Sequence, residues 1–477
     1  MRRAWPVAAV RRAEEQLMAT LPAGALMQRA AAGLASRCAQ LVTGVYGSRV
    51  VLLVGAGDNG GDALIAGARL AARGASVDAL LLEPDRAHPE GLVALLAAGG
   101  RIRPAEPAQV AGADLVVDGI VGIGGRGGLR PVAAALAAAA AGSGAVCLAV
   151  DVPSGVDADT GAVPSAAFPA DVTVTFGCLK PGLLVGPGQA HAGVVDVVDI
   201  GLGPYLGESR VSLTDIGDVA AVLPEPGPFD DKYSRGVVGV ASGSAAYGGA
   251  AVLSVGGAVR GFAGMVRYAG AAADAVRARW PEVVVTEGSP ADAGRVQAWV
   301  VGPGLGTDDH AERVVRGILA TDATVLVDAD GLTVLARHPE WVRDRSAETL
   351  LTPHDREFAR LAGEVGDDRI AATRRAAADL GATVLLKGEA TVISSPAGVV
   401  TVDCSGNAWL ATAGSGDVLS GLAGSLLAAG LPAPSAATAA TFLHGLAGRL
   451  ASLGAPISAG QLLDALPEAA RTIRGNL

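Results

Sequence analysis

The chain has 477 residues, 50% of them hydrophobic and 18% charged against roughly 25% charged in an average soluble protein, so it can bury a large core and is not mostly disordered. At roughly 150 residues per domain, that length excludes one small domain. A net charge of -10, with no block of five or six like charges, argues against an extended nucleic-acid surface, and a polyanionic ligand must be held locally.

In chain order, Arg2-Arg3 precedes a short apolar run that Arg11-Arg12-Ala13-Glu14-Glu15 interrupts before a signal-peptide core can form. A long helix is predicted over 12–35. Short β-branched or leucine-rich runs then alternate with Ala-rich stretches, the signature of βαβ units and parallel sheets. The first series of strands is predicted at 50–54, 77–82, 115–118, 146–151, 172–176 and 194–199. The stretch Leu223-Pro-Glu-Pro-Gly-Pro228 reads as a stiff connector, because each Pro fixes φ and blocks helix. A second series follows at 237–241, 265–268, 283–286, 299–302, 325–328, 349–352, 383–387 and 392–394, and the C-terminal third is otherwise read as nearly all helical.

Two uncharged stretches, 131–150 and 418–443, are Ala-rich and broken by Gly, Ser or Pro, so they read as buried helices rather than membrane spans. Cys38, Cys147, Cys178 and Cys404 lie far apart in apolar surroundings and form no C-x-x-C pair, which fits reduced core thiols and a cytoplasmic location. The expectation is two α/β domains, 1–210 and 211–477, with no membrane or nucleic-acid partner. Gly 67 is about twice the usual share of ~7%, with no collagen-like period, which leans toward tight turns and close approach to nucleotides.

Three turns of the first domain carry oxygen-rich chemistry at predicted strand ends. Gly55-Ala-Gly-Asp-Asn-Gly-Gly-Asp62 satisfies G-x-G-x-x-G, a weak dinucleotide fingerprint by itself. Its Asp58 and Asp62 put carboxylates where an ordinary Rossmann loop offers bare amides to pyrophosphate. The other two turns are Asp118-Gly-Ile-Val-Gly-Ile-Gly-Gly-Arg-Gly-Gly128 and Asp151-Val-Pro-Ser-Gly-Val-Asp157. Carboxyl ends of parallel strands share one crevice, so the three turns can converge. Oxygens of Asn59, Asp118 and Ser154 suit a hard cation, and the Gly-rich loop with Arg126 can wrap phosphates.

These motifs resemble the NAD(P)H-hydrate epimerase family over roughly residues 10 to 205, which implies a Rossmann-like, three-layer αβα domain. By that resemblance Asp58, Asn59, Gly60, Gly61, Asp62, the loop Gly122, Ile123, Gly124, Gly125, Arg126, Gly127 and Gly128, and Asp151 contact the hydrated cofactor. Asn59, Asp118 and Ser154 would hold a potassium ion. Asp151 is the candidate acid/base, although the epimerisation path is not legible from sequence.

In the second domain, Gly414-Ser-Gly416-Asp417 precedes a long apolar stretch. Glycines free backbone N–H groups to point at an anion, the helix start adds partial positive charge, and Asp417 stands ready to take a proton from an attacking hydroxyl. No G-x-x-x-x-G-K-[ST] occurs, so this is not a P-loop enzyme. Gly302-Pro-Gly-Leu-Gly306, Thr352-Pro-His354-Asp-Arg-Glu357-Phe and Lys387-Gly-Glu-Ala-Thr391 supply further parts, with Lys387 the natural phosphate cation. Lys232-Tyr-Ser-Arg-Gly236 reads equally as a ligand loop or a solvated turn.

This ordered set resembles the ribokinase-like ADP/ATP-dependent NAD(P)H-hydrate dehydratases over roughly residues 212 to 475. The resemblance implies that Ala258, Gly304, His354 and Asp417 touch the hydrated nicotinamide nucleotide. It assigns Lys387, Gly388, Glu389, Ala390, Thr391 and Gly416 to the adenine nucleotide. It also implies Mg²⁺ with ADP or ATP as co-substrate, and a homo-oligomer.

Both halves therefore point to repair of hydrated NADH and NADPH: epimerisation of R and S forms, then ADP- or ATP-dependent dehydration of the S form. A small-molecule kinase of the vitamin or sugar type shares the Gly-Ser-Gly-Asp turn and would leave a stable phosphorylated product. A nicotinamide-dependent oxidoreductase would use the turn at Gly55 but lacks a hydride-site partner, and a nucleotide sensor would bind without turnover.

Overall fold

In the computed structural model, which describes residues 2–475, the chain divides after residue 211 into two units, 3–211 and 212–475 with Arg2. The first unit is built on seven parallel strands: β1 (Arg49–Val54), β2 (Ser76–Leu81), β3 (Arg101–Arg103), β4 (Leu115–Gly119), β5 (Val146–Val150), β6 (Val172–Phe176) and β7 (Val194–Val198). Their order is β3-β2-β1-β4-β5-β6-β7, so the sheet reverses direction between β1 and β4, where an open α/β sheet opens its ligand crevice.

Side chains alternate across each strand, and the two faces meet different helical layers. Val50, Leu52 and Val54 pack with Leu34 and Leu64 on one side, while Val51 and Leu53 pack with Leu136 and Ala137 on the other. Each fully buried aliphatic side chain contributes about 1.5–3 kcal/mol, so this layered core carries the unit. The predicted helix 12–35 is instead two helices, α1 (Val7–Met18) and α2 (Ala25–Leu41). The break falls at Pro22 and at Gly24, which adopts φ +75 at the start of α2. That break places α1 as a separate wall of the crevice described below.

The second unit contains β8 (Val237–Ala241), β9 (Met265–Ala269), β10 (Val284–Thr286), β11 (Ala298–Val301), β12 (Thr324–Val327), β13 (Thr349–Leu351), β14 (Thr383–Leu386), β15 (Thr391–Ser394) and β16 (Val400–Asp403). They run in the order β16-β15-β14-β13-β12-β11-β8-β9-β10. Pairing is parallel from β14 to β10 and antiparallel at β14–β15 and β15–β16. The Lys387-Gly-Glu-Ala turn is too short for a crossover, which needs a dozen or more residues, so the chain folds back as a hairpin. The strand β16 lies within the stretch read from sequence as helical.

Helices α3 (Asp58–Ala71), α4 (Pro89–Ala97) and α5 (Pro131–Ala141) belong to the first unit. In the second, α6 (Gly248–Val259), α7 (Asp355–Ala362), α8 (Ser415–Ala428) and α9 (Ala433–Ser452) matter most for the site. The uncharged stretches form α5 with β5, and α8 with most of α9; among the described residues no helix is long and apolar enough to cross a membrane.

Helices α6 and α8 approach backbone to backbone. A Cβ at Gly421 would overlap the Ser254 carbonyl oxygen, and one at Gly257 would overlap that of Val418. Gly421→Ala is therefore expected to cost about 1–3 kcal/mol of the second unit's stability, as overpacking does, and to lower its urea midpoint. An unchanged midpoint would show that the two helices can separate freely.

Candidate functional site

In the first unit, the turns after β1, β4 and β5 meet at the switch point. Gly57, at φ +94, leads into α3, whose first turn carries Asp58 and Asn59. Asp118 at the end of β4 is fully buried. Its Oδ2 accepts the Ser154 backbone N–H (2.8 Å), and its Oδ1 accepts the Ser154 hydroxyl (2.7 Å) and the Ile120 N–H (3.2 Å). Burial pushes its carboxyl up to about 6, with the Ser154 and Ile120 hydrogen bonds pulling it back.

Asp151, directly after β5, adopts φ +67, a conformation that costs about 1–3 kcal/mol and persists only where its surroundings enforce it. Its own N–H donates to the Val174 carbonyl (2.7 Å), and its carboxylate meets Lys180. The Lys180 side chain is 1% exposed and its Nζ lies 2.6 Å from Asp151 Oδ1. The same ammonium donates to Thr175 Oγ1 (2.8 Å) and the Phe176 carbonyl (2.9 Å), and Thr175 Oγ1 lies 3.2 Å from Asp151 Oδ1. A Cβ on Gly122 would sit 2.7 Å from Asn59 Oδ1 and 3.2 Å from Asp151 Oδ2, so glycine keeps both oxygens accessible.

A cavity of about 760 Å³ opens here. Of the residues expected from sequence, Asp58, Asn59, Asp62, Gly122, Ile123, Gly124 and Asp151 line it. Gly60 and Gly61 are buried within α3, against the Gly55 carbonyl and His88, while Arg126 and Gly127 are exposed further along the loop that also holds Gly125 and Gly128. Asp118 and Ser154 stand behind the wall rather than in it. The sequence reading missed Lys180, twenty-nine residues from its partner, and Glu14 and Arg11, which reach the cavity from α1.

In the second unit, four consecutive strand ends supply the parts: Gly302 to Gly306 after β11, Asp328 after β12, His354 after β13 and Lys387 after β14. Lys387 Nζ lies 2.7 Å from Asp328 Oδ1 and 3.7 Å from Glu357 Oε2, and Ser420 of α8 donates to Asp328 Oδ2 at 2.6 Å. The carboxylates Asp328 and Glu357 hold the Lys387 ammonium above its usual range despite its burial. Gly414, at φ +87, caps α8, and a Cβ on Gly416 would lie 3.7 Å from Lys387 Nζ, so the cation stands at the N-terminus of that helix. A helix N-terminus and an ammonium side by side form an anion site.

Asp417 occupies the first turn of α8. Burial first, then the Asp328 carboxylate, push its carboxyl up to about 7; Lys387 pulls it back, and Asp330 and Glu357 raise it further. His444 of α9 buttresses this turn, its Nε2 2.9 Å from the Ser415 carbonyl, and burial brings its imidazole down to about 4.

The remaining expected residues are placed as follows. Gly304 abuts the start of α6, where Tyr247 and Ala250 would meet a Cβ on it. Ala258 lies eight residues beyond Ala250, about 12 Å along the helix, fully buried near Gly421, and is not brought to Gly304. His354 caps α7: its Nδ1 accepts the N–H groups of Arg356 (3.1 Å) and Glu357 (3.3 Å), while Glu357 accepts the His354 N–H (2.8 Å). Gly388 and Glu389 are exposed in the hairpin turn, and Ala390 and Thr391 are buried beside it. Lys232 to Arg235 form an exposed turn. Asp328 and Ser420 went unnoticed in the sequence because a strand-end Asp and a helix Ser carry no local signature.

These clefts define an α/β enzyme with two nucleotide-type sites, one in a Rossmann-like unit and one, with a carboxylate at a helix N-terminus, in a ribokinase-like unit. Residues 23–182 match the family described as YjeF-related protein N-terminus, and residues 238–468 the family described as NAD(P)H-hydrate dehydratase. The chain is 53% identical to the bifunctional NAD(P)H-hydrate repair enzyme of Mycobacterium leprae, over 95% of this chain and 94% of that one. Identity to the enzyme of the same name from Corynebacterium glutamicum is 39%, over 88% and 89% of the two chains. A solved ADP/ATP-dependent NAD(P)H-hydrate dehydratase from Bacillus subtilis, co-crystallised with ATP/Mg²⁺, aligns with 55% of this chain and 99% of its own at TM-score 0.51 and 26% identity. The chain belongs to the bifunctional NAD(P)H-hydrate repair enzymes.

Proposed function

We propose that the chain restores hydrated NADH and NADPH. The first unit interconverts the R and S epimers at C6 of the hydrated nicotinamide ring, and the second dehydrates the S form at the expense of ADP or ATP. The observation that carries this reading is the full-length identity to the repair enzymes, with both units covered. Asp417 fits the role of base. Its carboxyl, held near neutrality, takes the proton of the C6 hydroxyl, whose oxygen attacks the terminal phosphoryl group and displaces AMP or ADP. Lys387 and the start of α8 stabilise the transferring charge. Phosphate then leaves with the C6–O electrons, and loss of a C5 proton closes the ring double bond.

Among the described residues no cluster of three metal-binding side chains occurs, and Asp328 and Glu357 are already bonded to Lys387, Ser420 and His354. That fits Mg²⁺ carried on the nucleotide phosphates with water ligands, where it would neutralise phosphate charge, rather than a protein cage. For potassium, the donors are all oxygens, and buried Asp118 carries three hydrogen bonds with no cationic side chain acting on it. A monovalent cation beside Asn59, Asp118 and Ser154 would offset that charge. We expect the protein to act in the cytoplasm.

The test adds the protein to an epimer mixture of NADHX with and without ADP or ATP and Mg²⁺. Nucleotide-dependent recovery of NADH absorbance from the whole mixture, faster than spontaneous epimerisation, is the expected result. Conversion that stops at the S fraction would remove the first activity, and a stable phosphorylated product would favour the kinase.

A further inference from the structure

The cavity of the first unit carries more negative charge than an anionic dinucleotide calls for. Six acids line it, Glu14 and Glu15 from α1, Asp58 and Asp62 from α3, Glu90 from α4 and Asp151 from the turn after β5, against Arg11 and the imidazole of His88. Among these acids Lys180 contacts only Asp151, from behind, through Oδ1. Asp62 is 8% exposed, yet its Oδ1 has no hydrogen-bond partner. Of these acids, Glu14, Asp58, Asp62 and Asp151 repel one another. Burial raises Asp62 well above the usual carboxylate range, and Asp151, Asp58 and Glu14 add to it. Glu14 is raised by burial and then by Asp151, against the pull of Lys180 and Arg11, with Asp58 adding to the rise. Carboxyl groups gathered this closely with too little counter-charge are stabilised when a cation comes among them.

The hydrated ring is neutral and the pyrophosphate is anionic, and a monovalent cation beside Asn59, Asp118 and Ser154 would answer Asp118 behind the wall, so none of the three supplies a cation among Glu14, Asp62 and Asp151 in the ground state. Breaking the C6–O bond does. Resting on the function proposed above, we infer that the first site epimerises C6 by releasing its hydroxyl as water and holding the resulting planar ring cation among Glu14, Asp62 and Asp151, which makes Glu14 a further catalytic residue. Asp62 in its protonated form donates to the C6 hydroxyl; the C6–O bond breaks, water leaves, and the N1 lone pair forms the N1=C6 bond. One neutral acid and one neutral substrate become a carboxylate and a cation, so charge balances within the cavity. Water then adds to the other face of C6 and its proton returns to Asp62, directly or through Glu14, which restores the starting acid. The alternative, opening of the ring to an aldehyde, would use one carboxylate to move the hydroxyl proton, but it forms no ring cation for several acids to hold.

The cationic intermediate has a stable stand-in. NAD⁺ carries a fixed positive nicotinamide ring, and NADH is the same molecule with a neutral one. The experiment follows conversion of S-NADHX to the R form by the full-length protein without ADP or ATP, so that dehydration stays idle, and measures inhibition by each. NAD⁺ is expected to inhibit at a concentration at least about tenfold lower than NADH, since charge pairs at such distances are worth that factor or more. Glu14→Gln is expected to remove most of this gap and lower the epimerisation kcat, while the NADH inhibition constant stays within about twofold. Equal inhibition by the two dinucleotides, or a variant with unchanged kcat, overturns the inference. So does a Glu14→Gln variant that loses NADH binding as well, because Glu14 would then merely shape the cavity. Failure of the underlying function reads differently: the wild-type protein leaves S-NADHX at its spontaneous rate, which overturns both.

Discussion

Asp417→Asn is expected to abolish nucleotide-dependent dehydration while epimerisation of NADHX continues at the wild-type rate. A positioned general base contributes about 10²–10⁴-fold, and an amide of the same shape cannot accept the proton. The size of the loss separates two roles. If Asp417 only capped the start of α8, the amide would serve nearly as well, because Asn caps helices about as effectively as Asp. Dehydration retained within about tenfold would therefore remove Asp417 from the base role. Epimerisation is the internal control, since every residue of the cavity assigned to it lies in residues 3–211.

The same carboxyl fixes a pH limb. Burial and the Asp328 carboxylate hold Asp417 up at about 7, with Asp330 and Glu357 adding to the rise and Lys387 opposing it. Below that value the group keeps its proton and cannot act as base. For the free enzyme, kcat/KM of dehydration should thus fall about tenfold per pH unit below 7 and level off above it. An ordinary solvated Asp would put that limb near 4. A profile flat from pH 5 to 8 would contradict the assignment.

What could be read from the sequence follows a physical line. Turns at the carboxyl ends of apolar strands, such as those at Asp118, Asp151 and Gly302, are legible because local composition creates them. The parallel sheets follow from the same alternation, and the strand order puts those turns into one crevice in each unit. Partners contributed by tertiary contact are a different matter. Glu14 stands in Arg11-Arg12-Ala13-Glu14-Glu15, which looks like a solvated helix face until the break at Pro22 and Gly24 turns α1 into a cavity wall. Asp328 looks like a strand terminus until Lys387, fifty-nine residues on, is seen to rest on it. The strand β16, Val400–Asp403, is as long as β12, β14 and β15, which the sequence shows, but it merges into the helical reading of the stretch that follows it. Ala258 is buried beside Gly421 while Ala250 faces Gly304, and this stretch of α6 is so rich in Gly and Ala that no side chain marks the register.

Lys180→Met is expected to destabilise the first unit by about 3–5 kcal/mol, the cost of leaving one member of a buried pair behind. Thr175 Oγ1 and the Phe176 carbonyl lose the ammonium as donor, and Asp151 Oδ1 loses its counter-charge while keeping the Thr175 hydroxyl and the Phe176 N–H. Methionine fills similar volume, so the loss reports charge and hydrogen bonding more than a cavity. It also removes the ammonium that orients the Asp151 carboxylate, which keeps only the longer bonds from the Thr175 hydroxyl and the Phe176 N–H. Hydrogen exchange reads the effect by unit: amides of β5 and β6 should lose protection while those of β11 and β12 keep theirs. Lys180→Met combined with Asp151→Asn removes both charges, and should recover more than half of the lost stability while leaving epimerisation abolished. If Lys180→Met alone exchanges like the wild type, Asp151 finds its counter-charge elsewhere, and Arg11 on the cavity wall becomes the residue to test.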